Sequence, residues 1–325
     1  MLSSLAVQLR QSLSILQKQE IQTAAAALGG SWAANVRVGD DCAAIPDRGG
    51  YLLLAAEGML PQLVESDPWF AGWCAVMVNL SDIAAMGGRA IAVVDALWSR
   101  STDEIDRVWA GMNAAAQAYS VPIVGGHTNC HSPYSALAVA ILGRATQLIT
   151  SFDAQPGDAL LVATDFRGKP HPNYPFWNAA TDADPIQLRE NLAILPYLAE
   201  GGLCAAGKDI SMGGILGTLL MLLETSGCGA ILDLDRIPCP PELSIDRWLI
   251  TFPSYGFLLS VQPENIAAVR ANFHQQNLVC EVVGTVQTEP QLVLRSRSAP
   301  GTVSPLESTV FWDFRQQPLT GFSSR

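Results

Sequence analysis

Positive charge is scarce in this chain: 19 Lys and Arg stand against 30 Asp and Glu in 325 residues, a net charge of −11. No Lys/Arg cluster is large enough to neutralise several phosphates, which argues against nucleic acid or an anionic membrane as a partner. If the protein handles phosphate, a metal must carry much of the positive charge. Long apolar runs are lacking too: "GILGTLLMLLE" (214–224) is the length of a core helix, short of the roughly 18 residues a membrane span needs. The leading segment (1–20) is interrupted by Arg10, Lys18 and Glu20, so it reads as an amphipathic helix rather than a signal peptide. Paired cysteines are missing as well. Seven cysteines, an odd number with no CxxC spacing, exclude a regular disulfide framework and fit reduced thiols in a cytoplasm.

What is present is the composition of an ordinary globular protein, 49% hydrophobic and 15% charged, long enough for two domains. The first half alternates strand and helix patterns. "YLLLAAEGM" reads as a strand, 70–86 as a long apolar helix and "AIAVVDALW" as a strand. Residues 103–119 follow as a helix with an acidic first turn, then "VPIVGGHTN" as a strand entering a glycine loop, and "ALAVAILGRA" as a strand. A Pro-Gly turn in "TSFDAQPGDALLVATDF" restarts the rhythm, so the domain boundary is expected near residue 150. In the second half, helices are expected at 185–200, 212–225 and 264–276. Strands are expected in "GAILDLD", "CEVVGTV" and "QLVLRSR", and "RWLITFPSYGFLLSV" reads as two strands around a turn. The expectation is an α+β protein of two domains, 1–150 and 151–325.

The chemistry lies in acids set among apolar residues. "VRVGDDCAAI" (36–45) places Asp40 and Asp41 side by side after a short apolar run. In "FAGWCAVMVNLSDIAAMGG" (70–88), a helix apolar on nearly every face, Asn79 and Asp82 are three apart and share one face. A carboxylate there needs a metal, a cation or hydrogen-bond donors; the alternative is a capping or turn role before Gly87 and Gly88. Glu57, after "YLLLAA", and Asp209, in "AAGKDISMGG", repeat the theme. Hard divalent cations such as Mg²⁺ take several carboxylate oxygens and keep phosphates and waters as remaining ligands, so these acids suit a Mg–nucleotide site. In "VGGHTN" (124–129), Gly125 and Gly126 would allow backbone to approach a phosphate, and His127 is a possible donor or a structural residue. "GLCAAGK" (202–208) imitates half of a phosphate loop, but Asp209 stands where Ser or Thr would bind Mg²⁺, and a helix leads into it.

Taken together, "GDDCA" (39–43), "VNLSDIAAMGG" (78–88), "IVGGHT" (123–128) and "KDISMGG" (208–214) resemble, in order and spacing, one enzyme superfamily. It holds aminoimidazole ribonucleotide synthetase, thiamine-monophosphate kinase, selenophosphate synthetase and the hydrogenase maturation protein that dehydrates a carbamoyl group. "GDDCA", "NLSDIAAMG" and "SGCGAILDLDRIP" are closest to thiamine-monophosphate kinase, and the whole chain is similar to the AIR synthase-related proteins. The resemblance implies a homodimer whose N-terminal domains form a shared β-barrel, a C-terminal α/β sandwich, and ATP with Mg²⁺ in an acidic cleft near the dimer interface. Carried over motif by motif, Asp40, Asp41, Glu57, Asp82 and Asp209 would hold metal, with Asp82 and Asp209 in catalytic positions. Asn79, Gly125, Gly126, His127 and Thr128 would lie on the nucleotide side.

Departures from the family pattern gather at the acceptor end. The Asp of the kinase "GGDT" is His127 here, the second Asp of "DVSDG" is Met212, and "GGEDYE" is replaced by "FPSYGF" (252–257). The unusually long segment 165–185 carries Arg167, Lys169, His171, Tyr174, Phe176 and Trp177, a lid or binding surface on one reading and a packing loop or dimer contact on the other. Arg167, Lys169, Met212, Ser254 and Tyr255 are therefore the expected contacts to a small-molecule acceptor. The activity implied is that of a Mg²⁺-dependent, ATP-using enzyme, a phosphotransferase or an ATP-dependent synthetase of the AIR synthase-related group, acting on an unidentified small metabolite. Its rivals are thiamine-monophosphate kinase itself and a non-catalytic nucleotide-binding scaffold.

Overall fold

A computed structural model of the chain describes residues 2–28, 36–297 and 306–322. It opens with three short helices, α1 (Leu2–Arg10), α2 (Leu13–Gln19) and α3 (Ile21–Leu28), where one leading helix was expected. The break has a local cause: Ser12 is extended at φ −65°, ψ 144° and starts α2 as its N-cap residue. Next come β1 (Ala43–Asp47), β2 (Gly50–Gly58), α4 (Pro61–Ser66), α5 (Pro68–Ala85), β3 (Arg89–Trp98), α6 (Thr102–Tyr119), β4 (Ile123–Asn129) and β5 (Ala136–Ala145). The remainder runs β6 (Ala159–Thr164), β7 (Lys169–Pro170), β8 (Phe176–Asn178), α7 (Pro185–Glu200), β9 (Ala206–Asp209), α8 (Gly214–Ser226), β10 (Gly229–Asp233) and α9 (Ile245–Trp248). It ends with β11 (Phe252–Pro253), β12 (Gly256–Val261), α10 (Ile266–Gln275), β13 (Val279–Gln287), β14 (Gln291–Arg297) and β15 (Leu306–Asp313). No helix among the described residues is long and apolar enough to cross a membrane.

These elements form two compact units. One comprises Asp41–Leu148 and Ala180–Glu200, the other the described parts of 1–40, 149–179 and 201–325. The first is built on a five-stranded sheet of order β1-β2-β5-β3-β4, the second on a seven-stranded sheet of order β15-β14-β10-β13-β6-β12-β9. The architecture is thus mixed α/β in two units. The five-stranded sheet is open, with β1 and β4 as its edges, so no closed barrel is formed by the described residues of this chain.

In the five-stranded unit the strands alternate. Leu53 and Ala55 of β2, Val93 and Leu97 of β3, and Leu137, Val139 and Ile141 of β5 are buried on one face. Helix α5 covers that face: a Cβ added to Gly143 of β5 would strike Ile83 of α5 at 2.7 Å. Helix α6 packs on α5 through reciprocal glycines. A Cβ on Gly72 would come 2.1 Å from the Val108 carbonyl oxygen, and one on Gly111 1.9 Å from that of Trp69. At these two positions only glycine lets the backbones approach.

In the seven-stranded unit, α8 is buried along nearly its whole length in a core that it shares with residues of α1 and α2 and with Leu160, Val162, Leu258 and Leu294 of the strands. Its single acid, Glu224, is buried and accepts the backbone N–H groups of Leu319 and Thr320 at 2.7 Å each, tying the C-terminal segment to the core. The "RWLITFPSYGFLLSV" stretch holds the two expected strands, β11 and β12, around Ser254 and Tyr255, but its start differs. Arg247 and Trp248 are helical in α9, because that turn seats Trp248 edge-on against Phe166 and Trp177.

Candidate active site

Helix α5 begins at an Asp67 cap, whose carboxylate accepts the Phe70 N–H at 3.3 Å, followed by Pro68 in the first turn. It runs to Ala85, so Asp82 is inside the helix and not at its N-terminus, where a carboxylate cap acts. Asp82 is only 6% exposed. One turn earlier Asn79 is fully buried; its Nδ2 donates to the Ala75 carbonyl at 2.8 Å, and its Oδ1 has no hydrogen-bond partner among the described residues. A carboxylate oxygen of Asp41 lies within 4.8 Å of one of Asp82. Two like charges at that spacing in a largely dry setting repel, and a bound cation removes the repulsion.

The Asp40–Asp41 doublet divides its work. Asp40 accepts the Ser151 N–H at 2.9 Å and so fastens the 149–151 backbone. Gly39 before it has φ +113°, and a Cβ there would meet Phe322 Cβ at 2.8 Å and its ring Cγ at 2.9 Å, so glycine is required at the start of this motif. Asp41 is the partner of Asp82.

Gly125, Gly126, His127 and Thr128 are not in a loop. They are the body of β4, hydrogen-bonded in parallel to β3 with Val94 opposite Gly125, Asp95 opposite Gly126 and Ala96 opposite His127. The glycine signal misled because these residues serve an edge strand that lets a neighbouring side chain in: a Cβ on Gly126 would lie 2.0 Å from Asp95 Oδ1. Glu57 is opposite Val139, and Val139 is opposite Asp95, so Glu57, Val139, Asp95 and Gly126 form one row across four strands. Asp95 is the site candidate that sequence reading passed over. The residue is 6% exposed, neither carboxylate oxygen has a partner in another described residue, and burial, only partly offset by its own backbone N–H, pushes its pKa up. Inside "AIAVVDALW" a single acid reads as the polar face of an alternating strand; that it shares a row with Glu57 follows only from strand register.

In the seven-stranded unit, Asp209 ends β9 at 6% exposure, opposite Phe257 of β12. Lys208 lies within the same strand and not at a helix N-terminus, so this GK pair has no phosphate-loop geometry. Met212 follows in the turn before α8, where the Ser211 N–H donates to Thr218 Oγ1 at 3.0 Å. Apart from Met212, the expected acceptor residues lie on or next to one small sheet. Strand β8 pairs in parallel with β11, Phe176 opposite Phe252 and Trp177 opposite Pro253, and β7 completes this small sheet. The long 165–185 segment and "FPSYGF" are thereby joined. Arg167 is bound to the buried Asp165 by two bonds, Nε to Oδ1 at 2.8 Å and Nη2 to Oδ2 at 2.7 Å. Ser254 Oγ accepts the Ala179 N–H at 2.9 Å. Tyr255 is buried edge-on to Phe257, and burial is the main cause pushing its phenol up. Lys169 is exposed on β7. Tyr174 stacks on Phe176 at 5.3 Å, with His171 and Phe252 against the pair.

Comparison with known proteins identifies the family and the fold. The model of the AIR synthase related protein N-terminal domain matches residues 39–145, and that of the C-terminal domain matches 155–297. An uncharacterized protein of Synechocystis sp. is 58% identical over 328 residues, 99% of each chain. A thiamine-monophosphate kinase of Halobacterium salinarum is 28% identical over 212 residues, 62% of this chain and 72% of that one. Among solved structures, AaThiL complexed with AMPPCP and TMP has a TM-score of 0.69 at 18% identity, covering 87% of this chain and 96% of that chain. Thermotoga maritima PurL complexed with ADP has a TM-score of 0.71 at 18% identity over 97% of this chain. The chain spans about half the length of PurL, 53% in that complex. At these identities the structural likeness is one of fold.

Proposed function

We propose, because the chain belongs to the AIR synthase related protein family, that it is a Mg²⁺-dependent enzyme that transfers a phosphoryl group from ATP to a small metabolite. The observation that carries this reading is the Asp41–Asp82 pair, with Asp82 buried in the last turn of an apolar helix. The donor set fits a hard divalent cation, since it consists of carboxylate oxygens with no thiol or imidazole. Asp41 and Asp82 would hold the ion, Asp209, Glu57 and Asp40 are assigned to the same acidic set, and a bound Mg²⁺ would supply charge neutralisation for the phosphates. Asn79 Oδ1 offers a buried acceptor one turn from Asp82. Gly125, Gly126, His127 and Thr128 are assigned to the nucleotide side, with residues 1–150 supplying ATP and metal binding and 151–325 the acceptor side. That relatives include a thiamine-monophosphate kinase, and structural neighbours are complexed with AMPPCP and ADP, supports ATP as the co-substrate. His127, Met212 and the small sheet joining 169–178 to 252–253 support an acceptor other than thiamine monophosphate. The test is a metabolite screen for substrate-dependent ADP release, with thiamine monophosphate included. Turnover with another compound is the expected result. Thiamine diphosphate formed at an enzyme-like rate would replace this reading with thiamine-monophosphate kinase, and no turnover with any compound would replace it with the scaffold.

The same reading includes a homodimer. The face of the five-stranded sheet opposite α5 exposes Ile45, Leu54, Ile91, Val94, Val124 and Leu142, and Leu54 is directly opposite Leu142 across β2 and β5. Such a contiguous apolar face suits burial against a second copy. Leu142→Asp is expected to yield a folded monomer in sedimentation equilibrium where the natural chain is dimeric. A monomeric natural chain, or a dimer unaffected by the substitution, would remove this assignment.

A further inference from the structure

Asp95 is a buried acid of the five-stranded unit that the metal set leaves unexplained. It is 94% buried on the α5 side of the sheet, between Val93 and Leu97, and neither of its oxygens has a partner among the described residues. It is not among the carboxylates that converge within 4.8 Å around Asp82. An Asn, Ser or Ala at this position would avoid the desolvation of an unpaired carboxylate, so the acid is best explained by a state in which something else supplies donors. Residues that break such local rules concentrate at functional sites.

We propose that Asp95 is a binding residue that accepts hydrogen bonds from a pair of ribosyl hydroxyls on a bound small molecule. Three observations carry this beyond an isolated buried acid. First, Asp95 shares its row with Glu57 and Gly126, which places it beside the candidate nucleotide strand. Second, Gly126 belongs to the exposed edge strand β4, and its missing Cβ is what leaves room for Asp95 Oδ1. A ligand reaches the carboxylate past this glycine, with the edge strand yielding or the carboxylate turning outward. Third, the charge is wrong for phosphate. A carboxylate against Gly126 repels an uncompensated phosphate and selects a group bearing donors. Two unpartnered oxygens on one planar group match two adjacent O–H donors, as one acidic side chain does for ribose in dinucleotide-binding folds.

The inference rests on the ATP-dependent reading in placing β4 on the nucleotide side and in the choice of nucleotide as one probe. The ribose belongs either to the nucleotide or to the acceptor, and two pairs of ligands separate these sources. Calorimetric titration would compare MgATP with Mg·2′-deoxyATP and Mg·3′-deoxyATP, and ribose 5-phosphate with 2-deoxyribose 5-phosphate, on the natural chain and on Asp95→Asn and Asp95→Ala. In at least one pair the natural chain is expected to prefer the full ribose by about 10-fold or more, and both variants to lose that preference. The variants are expected to melt at the same temperature as the natural chain or higher, because a buried unpaired carboxylate has been removed. Hydroxyl preference that survives in both variants, or its absence from the natural chain in both pairs, would overturn the proposal. If MgATP does not bind the natural chain at all, the ATP reading falls, and the ribose phosphate pair still decides the role of Asp95.

Discussion

Asp82→Asn is expected to abolish Mg·ATP binding, weakening it by about 100-fold or more, equivalent to roughly 2.7 kcal/mol, while leaving the fold intact. The substitution keeps the shape of the side chain and one acceptor oxygen but removes the charge from a position only 6% exposed. In such a setting a charge interacts far more strongly with a cation than it would in water. The sign of the effect on the metal-free protein is opposite. Because an Asp41 oxygen lies within 4.8 Å of Asp82, removing one of two like charges relieves repulsion, so the variant without Mg²⁺ should melt no lower than the natural chain. The natural chain should gain about 2.7 kcal/mol of stability at a ligand concentration 100-fold above Kd, and the variant almost none. Calorimetry together with melting curves in the presence and absence of Mg·ATP checks both halves. Unchanged affinity in the variant would remove the metal role of Asp82.

Gly111→Ala is expected to destabilise the five-stranded unit by about 3 kcal/mol or more, against the usual direction for this change. In an exposed helix interior Gly→Ala stabilises by up to about 1 kcal/mol. Here the new Cβ would fall 1.9 Å from the Trp69 carbonyl oxygen and 2.8 Å from its carbon, both backbone atoms of α5 that no rotamer can move aside. Relief requires α6 to back away from α5, opening the contact around Gly72 as well. Since α5 carries Asn79 and Asp82, the variant should also bind Mg·ATP more weakly, without losing any residue of the site. Denaturant titration gives the magnitude. A loss below 1 kcal/mol would mean that the two helices are not in the close contact described.

Much of the fold was legible because its signals are local. Strand β14 was expected at its observed bounds, and α5, α6, α7 and β5 within two residues of theirs, since apolar periodicity and caps act within one element. Strand β15 and the short β7 and β8 were not found. Two- and three-residue strands have no periodicity to read and exist only because β11 supplies a partner. The leading helix was read as one because its apolar spacing continues through Ser12, although the backbone at that residue does not. "VGGHTN" was read as a loop because glycine usually marks one, whereas here the edge pairing with β3 decides.

By itself, the sequence determined that this chain is an acidic, two-part α/β protein of the AIR synthase related family with carboxylates set into apolar elements. Those properties are written in contiguous motifs, where neighbours in the chain are neighbours in space. Tertiary structure decided which residues work together. It paired Asp41 with Asp82, gave Asp40 to the Ser151 backbone, bound Arg167 to Asp165, and set Asp95 in a row with Glu57 and against Gly126. Most of these partners lie many residues apart and meet only through strand register or helix packing, and even Arg167 and Asp165, two residues apart, were joined by a side-chain geometry that spacing does not specify.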